Sequence, residues 1–215
     1  MHAVRDHTHS LLGRTITYSP EDWAAPTRLT GWTRSHIAAH LVQGARALSG
    51  LCRNVIEGFP PGPYDTSLGK QCELLALSDG LRLQIELDTS AGELDGLLAQ
   101  MADRQGIVHL YPSLTVALAE LPLIRLRELV LHTFDLDPDE PNLEIDPQIA
   151  MPLLAFEAGR LPRRHGTTEL IAAEGPIPSL AIPSRQETVE GPAAHLLAWL
   201  ARDVRTDALV FSSQR

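Results

Sequence analysis

Residues 34–57 carry the pattern that most restricts how this chain can fold. Their apolar positions recur every three or four residues, the spacing that lines one face of an α-helix. This stripe consists of Ile37, Leu41, Leu48, Leu51 and Val55. Three more principal helices are predicted over about 2–17, over about 68–103 with a break near Ser78, and from Pro122 to Leu136. Four helices joined by non-helical connections predict a four-helix bundle.

The composition changes after Leu136, where DPDEPNLEIDPQ is rich in proline and aspartate and is typical of a linker. Beyond it, helices are predicted over about 147–160 and 191–202. Short strands are predicted within 167–175, 178–184 and 208–213. The expected fold is therefore mainly α with an α+β appendage: a bundle domain at 1–140 and a small α+β domain at 147–215.

Charge and cysteine usage narrow the functional classes. The formal net charge is −9, which argues against a nucleic-acid or anionic-membrane partner because binding phosphates requires a basic face. No apolar stretch approaches the roughly 20 residues of a membrane span, and the polar N-terminus has no signal-peptide core. The two cysteines, Cys52 and Cys72, form neither a CxxC motif nor a disulfide framework. A cytoplasmic protein is expected.

The pair His36 and His40 admits two interpretations. Their spacing of four places both imidazoles on one helix face, as in some metal sites. A metalloprotease HExxH motif is excluded, because Ile37 stands where that motif requires glutamate. By themselves the two residues favour the second interpretation, that of ordinary helix histidines that bond to the backbone or to solvent.

A second pair, Glu128 and His132, repeats the spacing of four in the helix after Pro122. Apolar residues surround this helix on nearly all sides, so it is expected to be buried, and a buried carboxylate and imidazole need partners. One histidine from the second helix would complete a set of two histidines and one glutamate. Three protein ligands with an open position are typical of catalytic zinc.

Three segments resemble one family. GWTRSHIAAHL, LPLIRLRELVLHTFDLD and GPAAHLLAWLAR follow one another in the order found in mycothiol-dependent maleylpyruvate isomerases, which belong to the DinB-like metalloenzyme superfamily. The resemblance spans nearly the whole chain. It departs from the family at Ala201, where a glycine usually precedes the final arginine. It implies a DinB-like four-helix bundle followed by a small α+β domain.

The resemblance also assigns roles. It implies that His40, Glu128 and His132 bind Zn²⁺ or another divalent metal, and that His36 has a supporting role. It implies mycothiol as a low-molecular-weight thiol cosubstrate and maleylpyruvate as the small-molecule substrate. The thiolate would add to the conjugated double bond, the resulting single bond would rotate, and elimination would leave fumarylpyruvate.

A dicarboxylate substrate requires cationic anchors, because an arginine can hold a carboxylate through two hydrogen bonds. The arginines considered are Arg82, Arg125, Arg127 and Arg202. Arg202 corresponds to the family's terminal arginine and is the predicted catalytic residue, whereas Arg125 and Arg127 are also compatible with pairing inside the bundle. Cys52 and Cys72 are interpreted as ordinary buried thiols.

Two other functions remain open at this stage. The first is a thiol S-transferase of the same superfamily, which would use the same three ligands on an electrophile. The second is a non-catalytic protein that binds a metal or small ligand. The three ligand positions do not distinguish these from an isomerase, and the sequence does not define an oligomeric state.

Overall fold

Two units of structure make up the chain, Met1–Pro138 and Asp139–Arg215, as seen in a computed structural model. The structure describes residues 2–60, 68–111, 114–159, 168–177 and 187–213. The predicted strand at 178–184 lies outside the described residues, as does most of the predicted connection at 58–67. The fold is mainly helical with a small α+β part, as the sequence predicts.

The first unit contains six α-helices, one short 3₁₀ helix (Leu118–Glu120) and one hairpin among its described residues. The helices are α1 (His2–Thr15), α2 (Pro20–Ala24), α3 (Arg34–Glu57), α4 (Leu68–Ala76), α5 (Gly80–Gln100) and α6 (Leu121–Asp135). The hairpin is formed by β1 (Ile107–Tyr111) and β2 (Leu114–Ala117), which pair antiparallel. No described helix of the chain is both long and apolar enough to cross a membrane.

The bounds of α3 follow from local chemistry. At its start, the backbone N–H of Thr33 donates to Nδ1 of His36, and the Thr33 hydroxyl lies 2.7 Å from the same nitrogen. At its end, Gly58 takes the left-handed conformation with φ of 81°, which glycine adopts without steric penalty. Between these ends the first four residues of the apolar stripe are buried and Val55 is partly buried, so the predicted helix at 34–57 agrees with the structure.

The direction of the helices determines which residues meet. Arg34 pairs with Asp137 just beyond α6, and Arg125 donates to the carbonyl of Leu41. The start of α3 therefore lies beside the end of α6, and the two helices are antiparallel. One turn forward along α3 from His40 is Gly44, and one turn back along α6 from His132 is Glu128. Antiparallel packing therefore places His40 beside His132 and Gly44 beside Glu128.

The second unit combines two helices with a three-stranded sheet. Its described elements are α7 (Pro147–Ala158), β3 (Thr168–Ala172), β4 (Glu187–Gly191), α8 (Ala193–Arg202) and β5 (Val210–Ser213). The sheet order is β3–β4–β5, with β3 parallel and β5 antiparallel to β4. The apolar face of α8, including the buried ring of Trp199, packs within this unit, and Trp199 meets Phe211 of β5 edge to face.

Candidate functional site

Two of the three predicted ligands meet directly. The imidazole rings of His40 and His132 lie 4.6 Å apart between centroids at an interplanar angle of 73°. With a metal–nitrogen distance of about 2.1 Å, two imidazoles on one tetrahedral ion have centroids roughly 5 Å apart. The pair is therefore spaced as two ligands of a single ion would be. His132 is 8% exposed, while His40 is only partly buried.

His132 is oriented by a second buried group. Its Nδ1 lies 2.9 Å from Oδ2 of Asp135, and the Asp135 residue is fully buried. A carboxylate can only accept here, so Nδ1 carries the proton, and in the neutral imidazole the lone pair is on Nε2. This is the arrangement in which a carboxylate fixes the tautomer of a metal-binding histidine. In the sequence Asp135 stands three residues after His132, a helix spacing that signals such contact.

Glu128 is held differently from the two histidines. Its Oε2 accepts from Nη1 of Arg125 at 3.2 Å, and the same nitrogen donates to the Leu41 carbonyl at 3.0 Å. The carboxylate lies against α3 at Gly44, where an added Cβ would be 2.9 Å from Oε2. Gly44 leaves the space that this carboxylate occupies, and no pattern in the sequence indicates that role.

The three predicted ligands do not form one cluster. Among the described residues, no group of three or more His, Cys, Asp or Glu side chains is close enough together to hold a metal ion. The carboxylate of Glu128 is paired with Arg125 rather than grouped with the two imidazoles. The donor types nevertheless suit a divalent metal, since two neutral imidazoles and a carboxylate are ligands that zinc accepts.

His36 caps the start of α3. Its Nδ1 caps the helix through Thr33, and its Nε2 lies 3.6 Å from Oε2 of Glu73. The ring of Trp32 packs beside both histidines, with centroids 6.3 Å from His36 and 5.4 Å from His40. The capping bond gives His36 a structural role and distinguishes it from His40, although both occupy one helix face.

Neither cysteine is placed as a nucleophile. Cys52 is fully buried and Cys72 is 9% exposed. Burial raises the pKa of each thiol to about 11, and the neighbouring Glu73 adds to the effect on Cys72. Both groups are therefore protonated at neutral pH, and a thiol is a much weaker nucleophile than a thiolate.

The four arginines considered as substrate anchors lie in different environments. Arg82 is exposed and pairs with Glu86 one turn along α5. Arg125 is 1% exposed and serves Glu128 and the Leu41 carbonyl, in line with the interpretation that it pairs inside the bundle. Arg127 is partly buried in α6. Arg202, at the end of α8 in the second unit, donates from Nη1 to the Ala201 carbonyl at 3.0 Å.

Solved structures share this fold. Two crystal structures match with a TM-score of 0.82 at 20% sequence identity, covering 98% of this chain and 90% of theirs. One is described as the mycothiol-dependent maleylpyruvate isomerase, and the other as a histidine-to-alanine variant of that enzyme. A comparison with curated proteins finds no match.

A family model matches the first unit of the chain. Residues 4–137, well over half of the chain, match the family model described as the mycothiol maleylpyruvate isomerase N-terminal domain. That range contains α2 to α6 and all but the first two residues of α1, and with them His40, Glu128 and His132. The chain belongs to the mycothiol maleylpyruvate isomerase N-terminal domain family.

Proposed function

We propose that this protein is a metal-dependent and mycothiol-dependent cis–trans isomerase that converts maleylpyruvate to fumarylpyruvate. The observation that carries the proposal is the paired imidazoles of His40 and His132, with His132 oriented by the buried carboxylate of Asp135. Membership of the family and the fold shared with a mycothiol-dependent maleylpyruvate isomerase support it. The protein would act on small molecules, in the cytoplasm.

In this proposal His40, Glu128 and His132 would hold the metal, with the Glu128 carboxylate joining the two imidazoles when the metal binds. A bound divalent metal, such as zinc, would lower the pKa of a coordinated thiol so that the thiolate is available at neutral pH. Asp135 keeps the proton of His132 on Nδ1 and leaves Nε2 available as a donor atom. Arg125 neutralises Glu128 in its buried surroundings while no metal is bound.

The thiol belongs to the cosubstrate rather than to the chain. Because the pKa values of Cys52 and Cys72 are about 11, an external thiol must supply the nucleophile. Its sulfur forms a bond to one alkene carbon, and the π electrons move onto the conjugated keto oxygen as an enolate. The former double bond rotates, the enolate reforms the alkene, and the thiolate leaves unchanged. The cycle needs no oxidant and no net proton.

The experiment that tests this proposal is a paired assay with mycothiol and maleylpyruvate. Formation of fumarylpyruvate is followed by absorbance, and consumption of thiol is followed in the same sample. We expect isomerisation with thiol conserved, and no reaction when mycothiol is omitted. Stoichiometric loss of thiol would assign an S-transferase instead, and failure of isomerisation in the metal-loaded protein would refute the proposed reaction.

A further inference from the structure

An exposed apolar cluster lies where α4 is followed by α5. Of the nine large apolar side chains that are exposed in the described part of the chain, four fall within residues 74–85. These four are Leu74, Leu77, Leu81 and Ile85, and each is between 51% and 82% exposed. Together they present on the order of 500 Å² of apolar surface, close to the upper limit for the largest patch on a typical monomeric protein. Exposed patches of this size mark interaction sites.

The helices α4 and α5 lie one after the other along the same side of α3. Ala39 of α3 packs in a cluster with α4, while Arg46 and Arg53 of α3 pair with Glu86 and Glu93 of α5. The three α3 residues recur every seven positions, which is close to two full turns of helix. They therefore lie on one side of α3, and the surfaces of α4 and α5 that face away from α3 are neighbours.

The apolar cluster is on the surface that faces away from α3. Leu74 is two positions from the buried Cys72, which places the two side chains on nearly opposite sides of α4. In α5, Leu81 and Ile85 are each two positions from the buried Leu83 and are likewise opposite to it. The exposed side chains of the two helices therefore form one surface.

Opposite charges flank the apolar cluster. Lys70 lies one turn before Leu74, and Asp88 lies one turn beyond Ile85, both at exposed positions. Neither charge has an ion-pair partner among the residues that the structure describes. A surface that is positive at one end, apolar in the middle and negative at the other end is complementary to itself. A two-fold axis through its centre would place Lys70 of each copy opposite Asp88 of the other.

We propose that this surface is the interface of a homodimer, in which it packs against the same surface of a second copy of the chain. A standard interface buries about 800 Å² per partner, of which roughly 450–520 Å² is apolar. The four apolar side chains supply that apolar area, and the two flanking charges specify a partner with the same charge pattern. The surface contains none of the three proposed metal ligands, so the inference is independent of the proposed isomerisation.

The first test measures the mass and the contact of the wild-type chain. Sedimentation at about 10 μM should give twice the chain mass of 23.5 kDa, because interfaces of this size have dissociation constants of about 1 μM or lower. Lys70 is the only lysine of the chain. A carbodiimide, which joins an amine directly to a carboxylate, should therefore link Lys70 to Asp88. In a mixture of unlabelled and isotope-labelled protein, the linked peptides should include pairs from two different chains.

The second test uses matched variants. Leu77→Glu should raise the dissociation constant by at least about 100-fold, because the lost apolar contact occurs twice in a two-fold interface. Ile107→Glu is the control, since Ile107 is 67% exposed in the hairpin and is outside the proposed interface. Lys70→Glu and Asp88→Lys should each weaken the dimer roughly 2- to 30-fold, and the variant with both changes should restore it. Circular dichroism checks that each variant is folded.

Four results would overturn the proposal. They are a wild-type chain that stays monomeric up to about 100 μM, a dimer that Leu77→Glu leaves intact, equal losses in Leu77→Glu and Ile107→Glu, and Lys70 linked only within its own chain. All are read without turnover, so they leave the proposed isomerisation untouched. Conversely, a protein that fails to isomerise maleylpyruvate but dimerises through Leu77 would retain this inference.

Discussion

The contact between Gly44 and Glu128 gives the most discriminating test of how the site is built. An alanine Cβ at position 44 would be 2.9 Å from Oε2, 3.1 Å from Oε1 and 3.3 Å from Cδ of Glu128. Ordinary contacts of a Cβ begin near 3.4 Å, so the carboxylate must move by 3.4 − 2.9, or 0.5 Å. The obstructing atoms are the end of a flexible side chain, so the backbone can stay in place while the carboxylate shifts.

Two opposing effects determine how Gly44→Ala changes the free energy of unfolding. Glycine to alanine inside a helix normally stabilises by roughly 0.5–1 kcal/mol. Displacing Glu128 from Arg125 weakens a buried charge-assisted hydrogen bond worth about 1.5–3 kcal/mol. If the bond is lost, Gly44→Ala should therefore be about 0.5–2.5 kcal/mol less stable than the wild type. It should also bind metal about 10- to 100-fold more weakly, as changes to a ligand's supporting contacts do.

Gly50→Ala is the matched control in the same helix. A Cβ at Gly50 meets no other atom within 4 Å, so this variant should gain the full helix-propensity benefit and bind metal normally. Urea denaturation of both metal-free variants measures stability, and a metal titration measures affinity. If Gly44→Ala is stabilised as much as Gly50→Ala and binds metal equally well, the carboxylate of Glu128 is not held at Gly44 and the reasoning fails.

The remaining predictions concern the groups around the site and the second unit. Asp135→Asn should weaken metal binding about 10- to 100-fold, because the uncharged amide can turn its N–H₂ towards Nδ1 and no longer fixes the proton of His132 there; an unchanged metal titration would contradict this. Cys52→Ser and Cys72→Ser should leave turnover largely intact, whereas activity in thiol-free buffer that vanishes in either variant would reveal an internal nucleophile. Arg202→Ala should retain metal and fold but lose about 10- to 100-fold in substrate affinity or rate, on the scale of one charge-assisted hydrogen bond; unchanged steady-state kinetics would assign Arg202 to the helix end alone.

The helices were predictable because their signals are local. The apolar period, the threonine at the start and the glycine at the end set α3 without reference to the rest of the chain. The hairpin of β1 and β2 was not predicted, since its two short strands are stabilised by pairing with each other. Strand β4 was missed because ETVEG is mostly polar, and only Val189 and Gly191 are buried.

The site was predictable in its residue types but not in its arrangement. Spacing alone could not separate His40 from His36; the resemblance did so, and the structure adds the reason that His36 caps α3. The spacing of three between Arg125 and Glu128 could have indicated their pairing. The role of Gly44 could not be inferred, because it exists only where α3 and α6 pack against each other.

Metal content of His40→Ala, measured by elemental analysis beside His36→Ala, tests the central claim most directly. Both changes remove one imidazole from the same face of α3, but only His40 is paired with His132. We expect His40→Ala to lose most of its metal, as should Glu128→Ala and His132→Ala. His36→Ala should keep its metal and lose about 1 kcal/mol of stability with its helix cap. Full metal in His40→Ala, or loss of metal only in His36→Ala, would contradict the assignment.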